Sequence, residues 1–212
     1  MRYWLACLAL LFVAGRVSAV DIFVEAECFT AQSNSDHRQW CVISADSTAS
    51  EGNDGDPPHL DGASGKAYVE LLPDTRRTHA DKLTKGVNFS DEPGVVAVID
   101  YEVDFPEAGR YYVWGRAYST GSEDNGIHVG LNGEWPATGQ RMQWCEGKNR
   151  WWWESKQRTP KEHCGVPHAI YLDIPSSGRH TVSFSMREDG FEFDQFLLTT
   201  DRDRPRPAGE AE

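Results

Sequence analysis

The sequence predicts an all-β sandwich, and three observations carry that prediction. Apolar residues recur with period two in several segments, clusters of Gly, Pro and Asn separate those segments, and no long stretch shows helical spacing bounded by caps. Many short strands without a helical layer read as two packed sheets.

Taken in order, Ile22 to Glu27 is the first strand and Lys66 to Leu72 the second. The clearest signal is Val95 to Phe105, where Val95, Ala97, Ile99, Tyr101, Val103 and Phe105 alternate with more polar neighbours for much of its length. Pro106-Glu107-Ala108-Gly109 then turns the chain into Arg110 to Tyr118, so these two strands are expected to form an antiparallel hairpin. Ile127, Val129 and Leu131 make another strand, closed by the tight-turn pair Asn132-Gly133. Ile170 to Ile174 runs into Pro175-Ser176-Ser177-Gly178, and His180, Val182, Phe184 and Met186 alternate before a last strand from Phe191 to Thr200. Ser44 to Gly65, rich in Ser, Asp and Gly, is a surface loop on composition. Residues 201–212 alternate Arg and Asp and then carry Pro, Gly and Glu, which predicts a disordered charged tail.

Met1 to Ala19 has the form of a signal peptide: Arg2, an apolar run from Tyr3 to Gly15, and the small residues Val17-Ser18-Ala19 before Val20. A membrane span needs about twenty apolar residues, more than this run offers, and no later segment is apolar enough. The expectation is therefore a secreted protein, extracellular or periplasmic, with one domain over residues 20–200 and no membrane partner. A formal net charge of −12 argues against nucleic acid as a partner. Of the five cysteines, Cys28, Cys41, Cys145 and Cys164 lie beyond the leader, an even number in a compartment that permits disulfides. Two local bridges are expected, Cys28 with Cys41 and Cys145 with Cys164. The competing reading is a zinc site from Cys145, His163, Cys164 and His168, which lacks a C-x-x-C knuckle.

Three motifs in fixed order then point to a family. Val24-Glu25-Ala26-Glu27 opens the mature chain, Phe105 to Val113 (FPEAGRYYV) lies midway, and Phe191-Glu192-Phe193-Asp194-Gln195-Phe196 closes it. With these the chain resembles carbohydrate-binding modules of families six and thirty-five, especially the similar C-terminal accessory domains of xylan glucuronidases. The resemblance covers nearly all of Val20 to Asp201. It implies a galactose-binding-like jelly roll, a structural Ca²⁺ and a sugar site in the loops at one rim. The Trp-rich insertion from Cys145 to Cys164 and the long loop after Cys41 depart from the family pattern.

Strand alternation places Glu25 and Glu27 on one face with Cα atoms about 6.7 Å apart. In the resembled modules this pair and an aspartate of the last strand, here Asp194, hold Ca²⁺, which takes several hard oxygen ligands. Without the resemblance, the two glutamates read equally well as the solvated face of an edge strand. Trp144, Trp151, Trp152 and Trp153 put half of the chain's eight tryptophans within ten residues. Flat indoles stack on the C–H faces of pyranose rings, but in an extended segment Trp152 points away from Trp151 and Trp153, so at least one of the three is expected to be packing.

The same loop carries Arg141, Lys148, Arg150, Lys156, Arg158 and Lys161 against Glu146, Glu154 and Glu162. A basic, Trp-rich loop on an acidic protein favours an anionic sugar, whose charge a planar guanidinium such as that of Arg150 could clamp; solvated loop charges are the plainer reading. The loop from Tyr118 to Asn125 corresponds to one that supplies an aromatic and an amide in the resembled modules, which the resemblance carries to Tyr118 and Asn125. Read without it, Asn125-Gly126 is a turn.

No spacing of carboxylates singles out a glycosidase pair, and neither a G-x-S-x-G elbow nor an H-E-x-x-H signature is present. A jelly-roll polysaccharide lyase would draw on Arg116, Tyr118 and His128, and a protein-recognition or adhesion domain would bind protein tightly and be indifferent to sugars. The expected function is a secreted, monomeric, non-catalytic module for a plant or algal polysaccharide.

Overall fold

The computed structural model describes residues 19–33, 35, 37–47 and 54–209. The expected signal peptide up to residue 18 and the last three residues of the tail lie outside them. In chain order the strands are β1 (Asp21–Glu25), β2 (Ala31–Ser33), β3 (Gln39–Ser44), β4 (Ala67–Leu72), β5 (Val98–Phe105), β6 (Gly109–Tyr118), β7 (Gly126–Leu131), β8 (Met142–Gln143), β9 (Trp152–Glu154), β10 (Tyr171–Ile174), β11 (Gly178–Met186) and β12 (Glu192–Thr199). Short 3-10 turns at Ala26–Cys28, Ser64–Lys66 and Ala137–Gly139 are the only helical segments among the described residues.

Two antiparallel sheets result. One follows the order β10-β6-β12-β4-β3, with β1 also paired to β12 and β9 to β6; the other runs β2-β5-β11-β7-β8. The chain passes from sheet to sheet at most connections, the jelly-roll pattern of a sandwich. Ile99, Tyr101, Val103 and Phe105 from β5 meet Tyr111, Val113 and Ala117 from β6, and Phe184, Phe193 and Phe196 fill the space between them. β12 (EFDQFLLT) is buried throughout, because Phe193, Phe196 and Leu198 enter the core while, on the other face, Asp194 meets Arg116 and Leu197 packs with Trp114 and Trp153.

The hairpin expected from residues 95–118 is not formed. β5 pairs with β2 and β11, whereas β6 pairs with β9, β10 and β12. The turn after Phe105 is a corner between sheets: Phe105 and Tyr111 meet edge to face at 4.9 Å, and the Tyr111 hydroxyl donates to Glu107 O. Alternation fixes which residues face inward but not which sheet a strand joins. The strand also starts later than its pattern suggests. Ala97 has φ of 46°, which ends the extended run there and leaves Val95 62% exposed. The Asn132-Gly133 turn is as expected, with both residues at positive φ and Leu131 and Glu134 exchanging backbone bonds.

Of the two expected disulfides, Cys145–Cys164 is formed, with Cα atoms 5.4 Å apart. Its sulfurs are joined, so they are not ligands of the alternative zinc site. The Cys28–Cys41 bridge is not formed. Cys41 lies opposite Glu70 on the face turned away from the core that Trp40 enters, while Cys28 is exposed on the turn that carries the chain off β1. As far as Gly209, the charged tail touches the sandwich. Arg204 pairs with Asp21, Arg206 Nε donates to Trp153 O at 3.0 Å, and Trp153 Nε1 donates to Gly209 O at 2.8 Å.

Candidate functional site

The side chains of β6 alternate, so Tyr111, Val113 and Ala117 enter the core while Trp114, Arg116 and Tyr118 face the other side of the seven-stranded sheet. Two loops close over the Arg116–Tyr118 end of that face, one from the β3–β4 connection and one from the segment before β9. Between them lies an open cavity of about 580 Å³ lined by His59, Asp61, Arg116, Tyr118, Arg150 and Trp151, among others.

Each aromatic group there is held. The Trp151 Nε1 donates to His59 O at 3.0 Å, and its ring meets Tyr68 and Tyr118 edge to face at 5.2 and 5.5 Å. His59 stacks on Tyr118 with ring centres 3.8 Å apart. Burial moves both off their ordinary acidities, lowering His59 and raising Tyr118. Arg116 donates from Nη2 to Gly62 O at 2.8 Å and forms an ion pair with Asp194. Gly62 has φ of +81°, and a Cβ there would lie 3.4 Å from the Trp151 ring, so glycine lets this loop turn close against the indole.

The three adjacent tryptophans have three fates. Trp151 lines the cavity. Trp152 packs against the main core, with the Arg150 and Arg206 guanidiniums 4.2 and 4.1 Å from its ring centre. Trp153 is buried with Trp114 and Leu197 under the tail. Trp144 is a core residue, and Gly115 leaves room for it: a Cβ there would lie 3.0 Å from the indole. Asn125 is buried away from the cavity, where its amide oxygen accepts from Gln143 and its backbone N–H donates to Glu188. Of the two residues expected from the 118–125 loop, Tyr118 lines the cavity and Asn125 does not.

The basic loop is largely answered from within the protein. Lys156 pairs with Glu146 and Glu154, and Lys148 donates to Ser119 Oγ and Trp144 O. Arg150 and Arg116 remain at the cavity, the latter already paired with Asp194. Arg141 and Arg158 line a separate opening of about 490 Å³ beside Asp91 and Gln157. The lyase trio is not assembled: His128 is buried in β7 on the other sheet, bound to Ser90 O and Arg141 N–H, while Arg116 and Tyr118 sit at the cavity.

Glu25 and Asp194 both hold the turn Ser64–Lys66, whereas Glu27 lies past the end of β1, in the 3-10 turn Ala26–Cys28, and not on the strand face of Glu25 that alternation predicts. Ser64 Oγ donates to Glu25 at 3.0 Å and Ser64 N–H donates to Asp194 at 2.8 Å, while Gln195 donates to Glu25 at 2.7 Å. One carboxylate oxygen each of Glu25 and Glu27 is buried without a hydrogen-bond partner. Burial pushes Glu27 up to about 7, and the neighbouring Glu25 and Asp194 push the same way. Asp194 is raised to about 6 by burial in spite of Arg116. Orphaned hard oxygens of this kind fit Ca²⁺, although Asp194 would share itself between the ion and Arg116.

A second acidic group was not expected from the sequence. Asp54, Asp56, His59, Glu70 and Glu192 gather beside the cavity. Burial raises Glu70 to about 10 and Glu192 well above the carboxylate range, with neighbouring carboxylates adding to both, and Asp56 rises to about 6. The available signals were the D-x-D-x-x-H spacing of residues 54–59 and Glu70 inside the otherwise apolar run Ala67–Leu72.

No protein-family model matches the chain. It is 63% identical over 179 residues to "Uncharacterized protein P23" of Formosa agariphila, a match covering 84% of this chain and 43% of that protein. The chain thus spans less than half the length of that relative. Among solved structures it is similar to CBM35 from Paenibacillus barcinonensis, at 14% identity and a TM-score of 0.49, covering 85% of this chain and 99% of that one. It is also similar to a family 35 carbohydrate binding module from Clostridium thermocellum, at 11% identity and a TM-score of 0.45, covering 84% and 97%.

Proposed function

We propose that residues 20–200 form a non-catalytic carbohydrate-binding module of an exported protein, and that its ligand enters the cavity between the His59 loop and Trp151. The observation that carries this reading is the Trp151 indole, anchored through Nε1 and flanked by the Tyr118–His59 stack and by Arg150. Fixed aromatic planes beside donors and acceptors suit a pyranose ring, which offers C–H faces and hydroxyl edges. A cavity of about 580 Å³ lies in the range of small-molecule sites. Arg150 makes an acidic sugar, such as a uronate of a plant or algal polysaccharide, the preferred ligand.

Retardation on gels containing such polysaccharides, read beside assays for reducing ends and unsaturated products, tests the proposal. Binding without product is the expected result. Indifference to every polysaccharide in a broad panel would leave a protein-recognition domain as the better reading. Glu25, Glu27 and Asp194 would hold a structural Ca²⁺, which stabilises the native state by mass action. Ca²⁺ should raise the melting temperature of EDTA-treated protein, and Asp194→Asn should reduce that rise.

A further inference from the structure

Four carboxylates beside the cavity, Asp54, Asp56, Glu70 and Glu192, belong to neither the Glu25, Glu27 and Asp194 group nor the stacking surface for sugar, and His59, whose ring is part of that surface, meets them through Nδ1. Asp56, His59 and Glu192 place one ligand atom each within 4.8 Å of one another; Asp54, Asp56 and Glu70 do the same, and the two trios share Asp56. Acidic groups alone would be ordinary on a chain with a net charge of −12. The distinguishing feature is a buried, unpartnered oxygen on each of two carboxylates. Glu70 is 2% exposed and Glu192 3%, and Oε2 of each is buried with no hydrogen-bond partner. Glu192 Oε1 lies 2.8 Å from His59 Nδ1. Among the described residues, no ion pair gives Asp54, Asp56, Glu70 or Glu192 a Lys or Arg. Carboxylates taken out of water beside one another need a proton or a cation between them.

We propose that Asp56, His59 and Glu192 bind a divalent d-block ion, Zn²⁺ or Mn²⁺, with Asp54 and Glu70 as flanking carboxylates. The imidazole decides the class of ion, because Ca²⁺ takes oxygen ligands whereas Zn²⁺ and Mn²⁺ accept a mixed nitrogen and oxygen set. The framework is suited to holding one. Glu70 and Glu192 come from paired positions of β4 and β12, and the His59 ring is oriented by its stack on Tyr118. The ion would tie the loop carrying Asp54, Asp56 and His59 to the sheet. This site shares no residue with Glu25, Glu27 and Asp194, and it stands whether or not the cavity takes a sugar.

Calorimetric titration of metal-stripped protein with Zn²⁺ and, separately, with Mn²⁺, each in excess Ca²⁺ to fill the Glu25, Glu27 and Asp194 group, tests the proposal. One equivalent should bind, and Asp56→Asn and His59→Gln should each weaken it about tenfold or more, since loss of even an outer-shell partner costs about 10–100-fold. Glu27→Gln should leave it unchanged. Both key substitutions fall on a surface loop, and near-ultraviolet circular dichroism would establish that the fold is retained. Pulsed electron paramagnetic resonance of the Mn²⁺ form should show ¹⁴N coupling that disappears in His59→Gln. Absence of uptake, uptake indifferent to Asp56→Asn and His59→Gln, or uptake lost in Glu27→Gln would each overturn the site.

Discussion

Trp151 and Trp153 stand two positions apart and face different environments. Trp151 presents its ring to the cavity, while Trp153 is buried beneath the tail with Trp114 and Leu197. Trp151→Ala should therefore weaken ligand binding about tenfold or more with little change in stability, as for a stacking anchor. Trp153→Ala should cost about 3–5 kcal/mol of stability by leaving a cavity. Retardation gels and denaturant titrations of the two variants separate the effects, and equal loss of binding in both would contradict the assignment. His128 supplies a pH signature. Burial lowers its pKa from 6.5 to about 4, with Arg187 and Arg141 acting in the same direction against its bond to Ser90 O. Between those values the unfolded chain holds the extra proton, so this contribution to stability is present above about pH 6.5 and lost as the pH falls toward 4. His128→Gln should remove that slope, on the order of 3 kcal/mol across the window, from a series of denaturant titrations. Asp56, Asp74 and Asp194, each raised to about 6 by burial, titrate in the same range, so the difference between variant and wild type is the quantity to read.

At the scale of elements, the disulfide and β9 act together. Cys145–Cys164 closes a loop of sequence separation 19 that contains both Trp151 and β9. The chain-entropy model assigns a bridge of about this size roughly 3 kcal/mol. Reduction should therefore lower stability and, because the loop places Trp151, also weaken ligand binding; a reduced protein that binds as well as the oxidised one would show that β9 pairing alone positions the indole. Period-two alternation made most strands legible, as in Ile99-Tyr101-Val103-Phe105, because one face of each meets a shared core. Their sheet membership was not legible, since β5 and β6 bury the same kind of face whether paired side by side or stacked across the sandwich. The site divides similarly. Trp and Tyr types were readable, but choosing Trp151 over Trp152 and Trp153 needed the path of the loop and the tail. Glu70 breaks the apolar pattern of β4, whereas Glu192 opens a strand that also carries Asp194 and Gln195; their meeting depends on the pairing of β4 with β12.

For the whole molecule, charge opposes the ligand class that the cavity favours. The chain carries a net charge of −12, so a polyanion is repelled at long range, while Arg150 lines the cavity with its guanidinium 4.2 Å from the Trp152 ring centre and Arg116 is already paired with Asp194. These contributions have different reach. At about 0.01 M salt the Debye length is about 30 Å and the field of the entire surface acts on the approaching chain; at 0.1 M it is about 10 Å and mainly local charges remain. At 1 M, about 3 Å, even a contact with Arg150 is weakened. Affinity for an acidic polysaccharide should therefore rise from low to moderate salt and fall again toward 1 M. Arg150→Gln should abolish the fall while keeping the rise, because the repulsion belongs to the whole surface and the attraction to one guanidinium. Retardation measured across that salt series for wild type and variant checks both limbs. A flat profile with retained binding would mean that a neutral sugar occupies the cavity, and a steep monotonic fall would place the recognition on a broader basic surface than Arg150 provides.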